Sequence, residues 1–130
     1  MNKFTKRLLA LGLALSIVVG IGSVSVFADS GKVTGTLNGN RTVGTYSIER
    51  YGAKAGTSYA GNGSAIISSN YGYANLVTLN YRSMSKSARN NKSASVNFKA
   101  PQYFISIQMR NTHTDIASGK IWDKSYLATY

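Results

Sequence analysis

The sequence predicts an all-β protein, a small antiparallel β-sandwich of about eight short strands, with a small barrel as the alternative closure. Three observations carry that expectation. Residues 103–110 alternate, with Tyr103, Ile105, Ile107 and Met109 against Phe104, Ser106, Gln108 and Arg110, which is the period of a strand buried on one face. Two Asn-Gly pairs, Asn38-Gly39 and Asn62-Gly63, stand between such runs, and both central positions of a type I′ hairpin turn need positive φ. Beyond residue 28 no stretch keeps a helical period, and Ser, Thr, Asn, Gly and Tyr dominate, a composition suited to pleated surfaces and tight turns.

The first 28 residues read as a signal peptide rather than as part of the fold. Lys3, Lys6 and Arg7 supply a positive start, residues 8–21 are apolar apart from Gly12, Ser16 and Gly20, and Val26-Phe27-Ala28 predicts cleavage after Ala28. The apolar run falls short of the ~20 residues that span a bilayer. The expected product is one exported β domain, residues 29–130, at the cell surface or released from it. With no cysteine there is neither a lipidated anchor nor a disulfide framework, so the core and the strand ladders must hold the fold.

Along that domain, residues 32–37 put Val33, Gly35 and Leu37 on one face, and residues 41–50 return with Gly44, Tyr46 and Ile48 together. Residues 51–56 read as a glycine-rich loop, and residues 57–61 as a third strand that turns at Asn62-Gly63 into residues 64–68. Asn70-Tyr71-Gly72 reads as a break. Residues 73–81 then alternate with apolar residues on both faces, predicting a strand covered on both sides. Residues 83–91 form the only long polar segment. Residues 93–99 place Ala94, Val96 and Phe98 inward, residues 103–114 form the central strand, a loop surrounds residues 115–119, and residues 120–130 make the last strand around a core Trp122.

Charge is the strongest functional signal. The formal net charge is +11, and loss of Lys3, Lys6 and Arg7 leaves 12 basic residues against 4 acids, a net of +8. No acid falls between Glu49 and Asp115, whereas Arg50, Lys54, Arg82, Lys86, Arg89, Lys92, Lys99 and Arg110 all do. A field of one sign steers anionic partners, and outside a cell these are wall polymers, anionic lipids and acidic glycans, with free nucleic acid ranked behind them. Arg82, Lys86, Arg89 and Lys92 recur every three or four residues, so they would share one face of a helical turn or line a mobile cationic loop. The competing reading is a solvated segment whose charges keep sheet edges apart. Tyr51, Tyr71 and Tyr73 lie in or beside glycine-rich breaks and are candidate stacking residues, while most tyrosines in small β domains only cover strands.

Chemistry has little to work with. His113 is the only histidine; it lies two residues from Asp115, so the pair would point to one side of a strand, but no serine sits in a nucleophile elbow. The reading is therefore non-enzymatic, with a hydrolase using His113 and Asp115 as the remote alternative. No metal or cofactor is implied, since one histidine and scattered acids make no closed ligand set.

Tyr81-Arg82-Ser83 and the run Lys92-Ser93-Ala94-Ser95-Val96, with an aromatic C-terminus, resemble the lactococcin 972 type of secreted bacteriocin. That resemblance implies a cysteine-free cationic β-sandwich acting at the envelope of other bacteria; the paired histidines of that family have no counterpart here, and no functional residue is carried over. The expected function is binding to an anionic extracellular surface, bacteriocin-like in character. Its alternatives are a neutral carbohydrate-binding module using exposed tyrosines and a surface or matrix protein that self-associates through sheet edges.

Overall fold

A computed structural model describes residues 29–130, so the expected signal peptide lies outside the described residues. These residues form eight strands: β1 Asp29–Leu37, β2 Asn40–Glu49, β3 Gly52–Tyr59, β4 Ser64–Asn75, β5 Tyr81–Asn91, β6 Ser93–Lys99, β7 Phe104–Ala117 and β8 Lys120–Thr129. They pair antiparallel in two four-stranded sheets, ordered β1-β2-β3-β6 and β5-β4-β7-β8, and neither closes into a barrel. β5 and β6 are thus the edges of their sheets along one flank of the sandwich, and β1 and β8 along the other.

Alternation dictates the faces. Ala53, Ala55, Ala94, Val96 and Phe98 from the first sheet meet Ala65, Ile67, Tyr71, Tyr73 and Met109 from the second. Tyr71 is fully buried, stacks on Phe98 across the sheets with centroids 5.1 Å apart, and shares a 2.7 Å hydroxyl hydrogen bond with Ser106. Leu37, Tyr59, Ala117 and Trp122 form a second cluster, as expected for Trp122. Asn38 and Gly39 hold φ of 51° and 77°, so the first hairpin turn forms as its sequence requires.

Several expected boundaries move, each for a physical reason. Residues 52–56 are strand rather than loop, because Ala53 and Ala55 pack inward from β3. Asn62-Gly63 makes no hairpin: β3 pairs with β2 and β6, so residues 60–63 carry the chain from one sheet to the other. Asn70-Tyr71-Gly72 lies inside β4, where Gly72 makes room for the Tyr81 side chain instead of ending a strand. Residues 73–81 are not one covered strand; β4 stops at Asn75 and a turn projects Leu76, Val77 and Leu79 into solvent. The polar segment is β5, neither loop nor helix. It is an edge strand whose inner face needs only Met84, Ala88 and the stems of Arg82 and Lys86 to meet the core.

The central strand is also irregular. Tyr103 precedes it with φ of 73°, and Asp115 to Ala117 belong to the strand, which turns through Ser118 and Gly119 with φ of 50° and 75°. A register shift at Gly72 and Tyr73 sets Gln108 opposite Gly72 but Ser106 opposite Tyr73, leaving Ile107 as an extra residue. Phe104, Ser106, Met109, Asn111, His113 and Asp115 therefore face inward, whereas Ile105 and Ile107 join Ala74 in a small outer cluster.

Close approach of the sheets depends on glycine at two inner positions. A Cβ on Gly44 would run into the His113 ring, and one on Gly35 into the Trp122 indole. Gly44→Ala should therefore destabilise the protein by about 1–3 kcal/mol, through overpacking. Gly39→Asn, with open space around it and a residue that tolerates left-handed backbone, should change stability by no more than ~0.5 kcal/mol. Denaturant unfolding of the two variants checks the contrast.

Candidate functional surfaces

The flank made by β5 and β6 collects the four basic residues singled out in the sequence, though not on one helical face. Arg82 and Lys86 lie opposite Tyr73 and Ser69 on the inward side of β5, Arg89 lies on its outward side, and Lys92 forms the link to β6 with φ of 65°. All four are exposed. Lys86 closes the open side of the sandwich: its Nζ donates to the Asn97 carbonyl at 2.6 Å and sits 5.3 Å from the Phe98 ring centre. Arg82 lies 5.6 Å from the Phe104 ring centre. These contacts fix the stems and leave the charges outside, the usual compromise of a long cationic side chain over an apolar edge.

Lys99 at the end of β6 adds a fifth positive charge, and residues 81–100 contain no acid. The acids lie elsewhere: Asp29 and Asp123 on β1 and β8, Glu49 at the end of β2, and Asp115 inside. The other basic residues are dispersed. Lys32, Arg41 and Lys54 alternate with the inward residues of the first sheet and so share its outer face, Arg110 lies on the outer face of the second, and Lys120 and Lys124 belong to the β8 edge. What sets the β5–β6 flank apart is that neither strand contributes an acid of its own, although the ladder places Glu49 of β2 across Gly52 from Lys99. An open cleft of about 370 Å³ between its strands is lined by Ala88, Arg89, Asn90, Ser93, Ala94 and Ser95.

The candidate tyrosines separate sharply. Tyr51 is 60% exposed, with the Arg50 guanidinium 5.4 Å from its ring centre. Tyr71 and Tyr73 are core residues stacked on each other at 5.4 Å, so they are withdrawn as contact residues. Their flanking Asn and Gly residues suggest exposure by analogy with loops, but on β4 both side chains point between the sheets.

His113 and Asp115 do share one side of β7, but that side is the interior, and both are fully buried. The His113 Nδ1 lies 3.0 Å from the Gly56 carbonyl and 3.0 Å from the Thr57 hydroxyl. Since a carbonyl only accepts, this nitrogen carries the proton. Nε2, both Asp115 carboxylate oxygens and the Thr42 hydroxyl have no hydrogen-bond partner among the described residues. Burial pushes the Asp115 carboxyl up from 3.8 to about 6. Burial lowers His113, against the opposing hydrogen bond to Gly56. Among the described residues no group of three or more His, Cys, Asp or Glu is placed to hold a metal ion.

These two residues pull stability in opposite directions with pH. The folded state holds the Asp115 proton more tightly than the unfolded chain does, so its contribution is whole below 3.8 and is lost as pH rises through about 6. The His113 contribution is whole above 6.5 and is lost as pH falls through its depressed folded value. Asp115→Asn should accordingly stabilise the protein at pH ~8 by about 2 kcal/mol, change little at pH ~4, and leave the acid-side loss due to His113 standing alone. Denaturant unfolding across that range measures all three effects. No protein-family model matches the chain, and no curated protein matches it.

Proposed function

We propose that this is a secreted, non-enzymatic cationic protein that binds an anionic extracellular surface and acts in the manner of a bacteriocin at a cell envelope. The single observation that carries the reading is the β5–β6 flank, where Arg82, Lys86, Arg89, Lys92 and Lys99 lie within residues 81–100 without an acid among them. An exposed set of like charges favours the compact fold less than a balanced one and attracts counter-charge over about a Debye length, ~8–10 Å in physiological salt. Edge protection alone explains one or two such residues on a polar edge strand. It leaves the want of any acid along β6, the neighbouring edge strand of the other sheet, without a reason. Reading the tyrosines as a sugar-stacking platform has weaker support, since Tyr71 and Tyr73 are buried.

The test replaces charge while keeping side-chain stems: Arg82→Gln, Lys86→Gln and Arg89→Gln, with Lys92→Asn because that position has positive φ. Binding of this quadruple variant to isolated bacterial cell walls should fall by about tenfold at low salt, and its salt dependence should flatten. Binding as tight and as salt-sensitive as that of the unaltered protein would remove the assignment.

A further inference from the structure

Among the described residues seven large apolar side chains are exposed, and five of them occupy one end of the sandwich: Tyr51, Leu76, Val77, Leu79 and Tyr103. Ile121 and Leu127 stand apart on β8. The five come from three separate connections, yet hydrogen bonds join those connections into one end. Ala100 donates its N–H to the Tyr51 carbonyl at 2.8 Å and Ser106 to the Arg50 carbonyl at 2.8 Å. Asn75, which opens the β4–β5 turn, is the ladder partner of Phe104, the residue after Tyr103. The connections of the opposite end, Asn38-Gly39, residues 60–63, Lys92 and Ser118-Gly119, contribute no large apolar side chain, and the exposed Ile121 stands just beyond the last of them on β8.

The apolar end is built, not frayed. In the β4–β5 turn the Asn75 carboxamide oxygen accepts from the N–H groups of Val77 and Thr78 at 2.9 and 3.1 Å, and Leu79 donates to the Asn75 carbonyl at 2.8 Å. Val77 at its apex is 91% exposed, and Tyr103 is 78% exposed. Leu79 and Tyr103 hold φ of 60° and 73°, a backbone region that bulky residues rarely occupy. Residues that are both strained and apolar, held in water on hydrogen-bonded turns, weaken the free protein and mark a surface meant for another phase. Arg50 and Arg82 border the end, the first over Tyr51 and the second next to Tyr81 at the start of β5, and Lys99 closes β6 two residues before Pro101. Two acids share this end, Glu49 beside Arg50 at the close of β2 and Asp29 at the start of β1, so these cations exceed the acids by one.

We infer that this end docks into the interface of an anionic lipid bilayer. Val77, Leu76 and Leu79 enter the acyl boundary, Tyr51 and Tyr103 sit at headgroup depth, and Arg50, Arg82 and Lys99 pair with the headgroups. Aliphatic side chains, amphipathic aromatics and an excess of cations over acids are the groups that a bilayer interface takes up between hydrocarbon and water. The inference rests on the reading of an anionic extracellular target and narrows that target to lipid.

The test uses the chain from Asp29, which contains all eight strands, with mixed phosphatidylglycerol–phosphatidylcholine vesicles in a co-sedimentation assay. Val77→Asp should reduce partitioning by about tenfold, leaving binding to isolated cell walls and the unfolding midpoint unchanged. Leu79→Asn with Tyr103→Asn should also weaken partitioning while raising the unfolding midpoint, because asparagine accepts the left-handed backbone. Opposite signs for binding and stability are the expected signature. Partitioning equal to that of the unaltered protein in both variants would overturn the tip inference, and if the quadruple flank variant still lost wall binding, the surface reading would stand without it. Equally, a protein that ignored these vesicles but self-associated through Val77 would overturn it in favour of a second copy as the occupant.

Discussion

The structure depends on an aromatic wedge between the sheets. Tyr71 from β4 lies on Phe98 of β6 and against Tyr73, whose ring in turn meets Phe104 of β7 edge-on at 5.5 Å. A cysteine-free domain of this size has only apolar burial and backbone pairing to oppose chain entropy, and rings of this area contribute heavily. The same wedge displays the charge. Phe98 and Phe104 are the rings beneath Lys86 and Arg82, so the residues that hold the sheets together also set where the cations emerge. Packing and surface electrostatics are here consequences of one cluster.

The interior beyond the wedge is less apolar than the strand pattern suggests. Ser69, Asn111, Thr57, His113, Asp115 and Thr42 all face inward and are buried, and Ser69 donates to the Asn111 carboxamide oxygen at 2.7 Å. Such a seam raises the penalty for misplacing the sheets, because each polar atom has few places where it can be tolerated. Gly44 against His113 and Gly35 against Trp122 tighten the same constraint sterically. Polar seam and missing side chains together specify one arrangement of the sheets where a uniformly aliphatic core would accept several.

Much of the fold was legible in the residues. The turn at Asn38-Gly39, the inward sets of β2 and β6, and the place of Trp122 follow from alternation and turn chemistry alone. β5 was not, because an edge strand that meets the core through Met84, Ala88 and cationic stems carries no apolar stripe. Asn62-Gly63 carries the same letters as the first turn but joins two sheets, and only tertiary pairing separates those cases. Tyr71 and Tyr73 resemble surface tyrosines because a ring that stacks in a core and a ring that stacks on a ligand obey one chemistry. The apolar end escaped for a related reason. Leu76, Val77 and Leu79 look like buried strand until the chain is seen to turn at Asn75.

The surplus residue in β7 has a further consequence. Between the inward-facing Ser106 and Met109 stand two residues, Ile107 and Gln108, where a regular ladder has one. Everywhere else in these strands, losing one position would swap interior for exterior along the rest of the element. At Ile107 the loss would leave every downstream and upstream orientation as it is. That single point is where β7 can change length by one residue without exchanging its two faces.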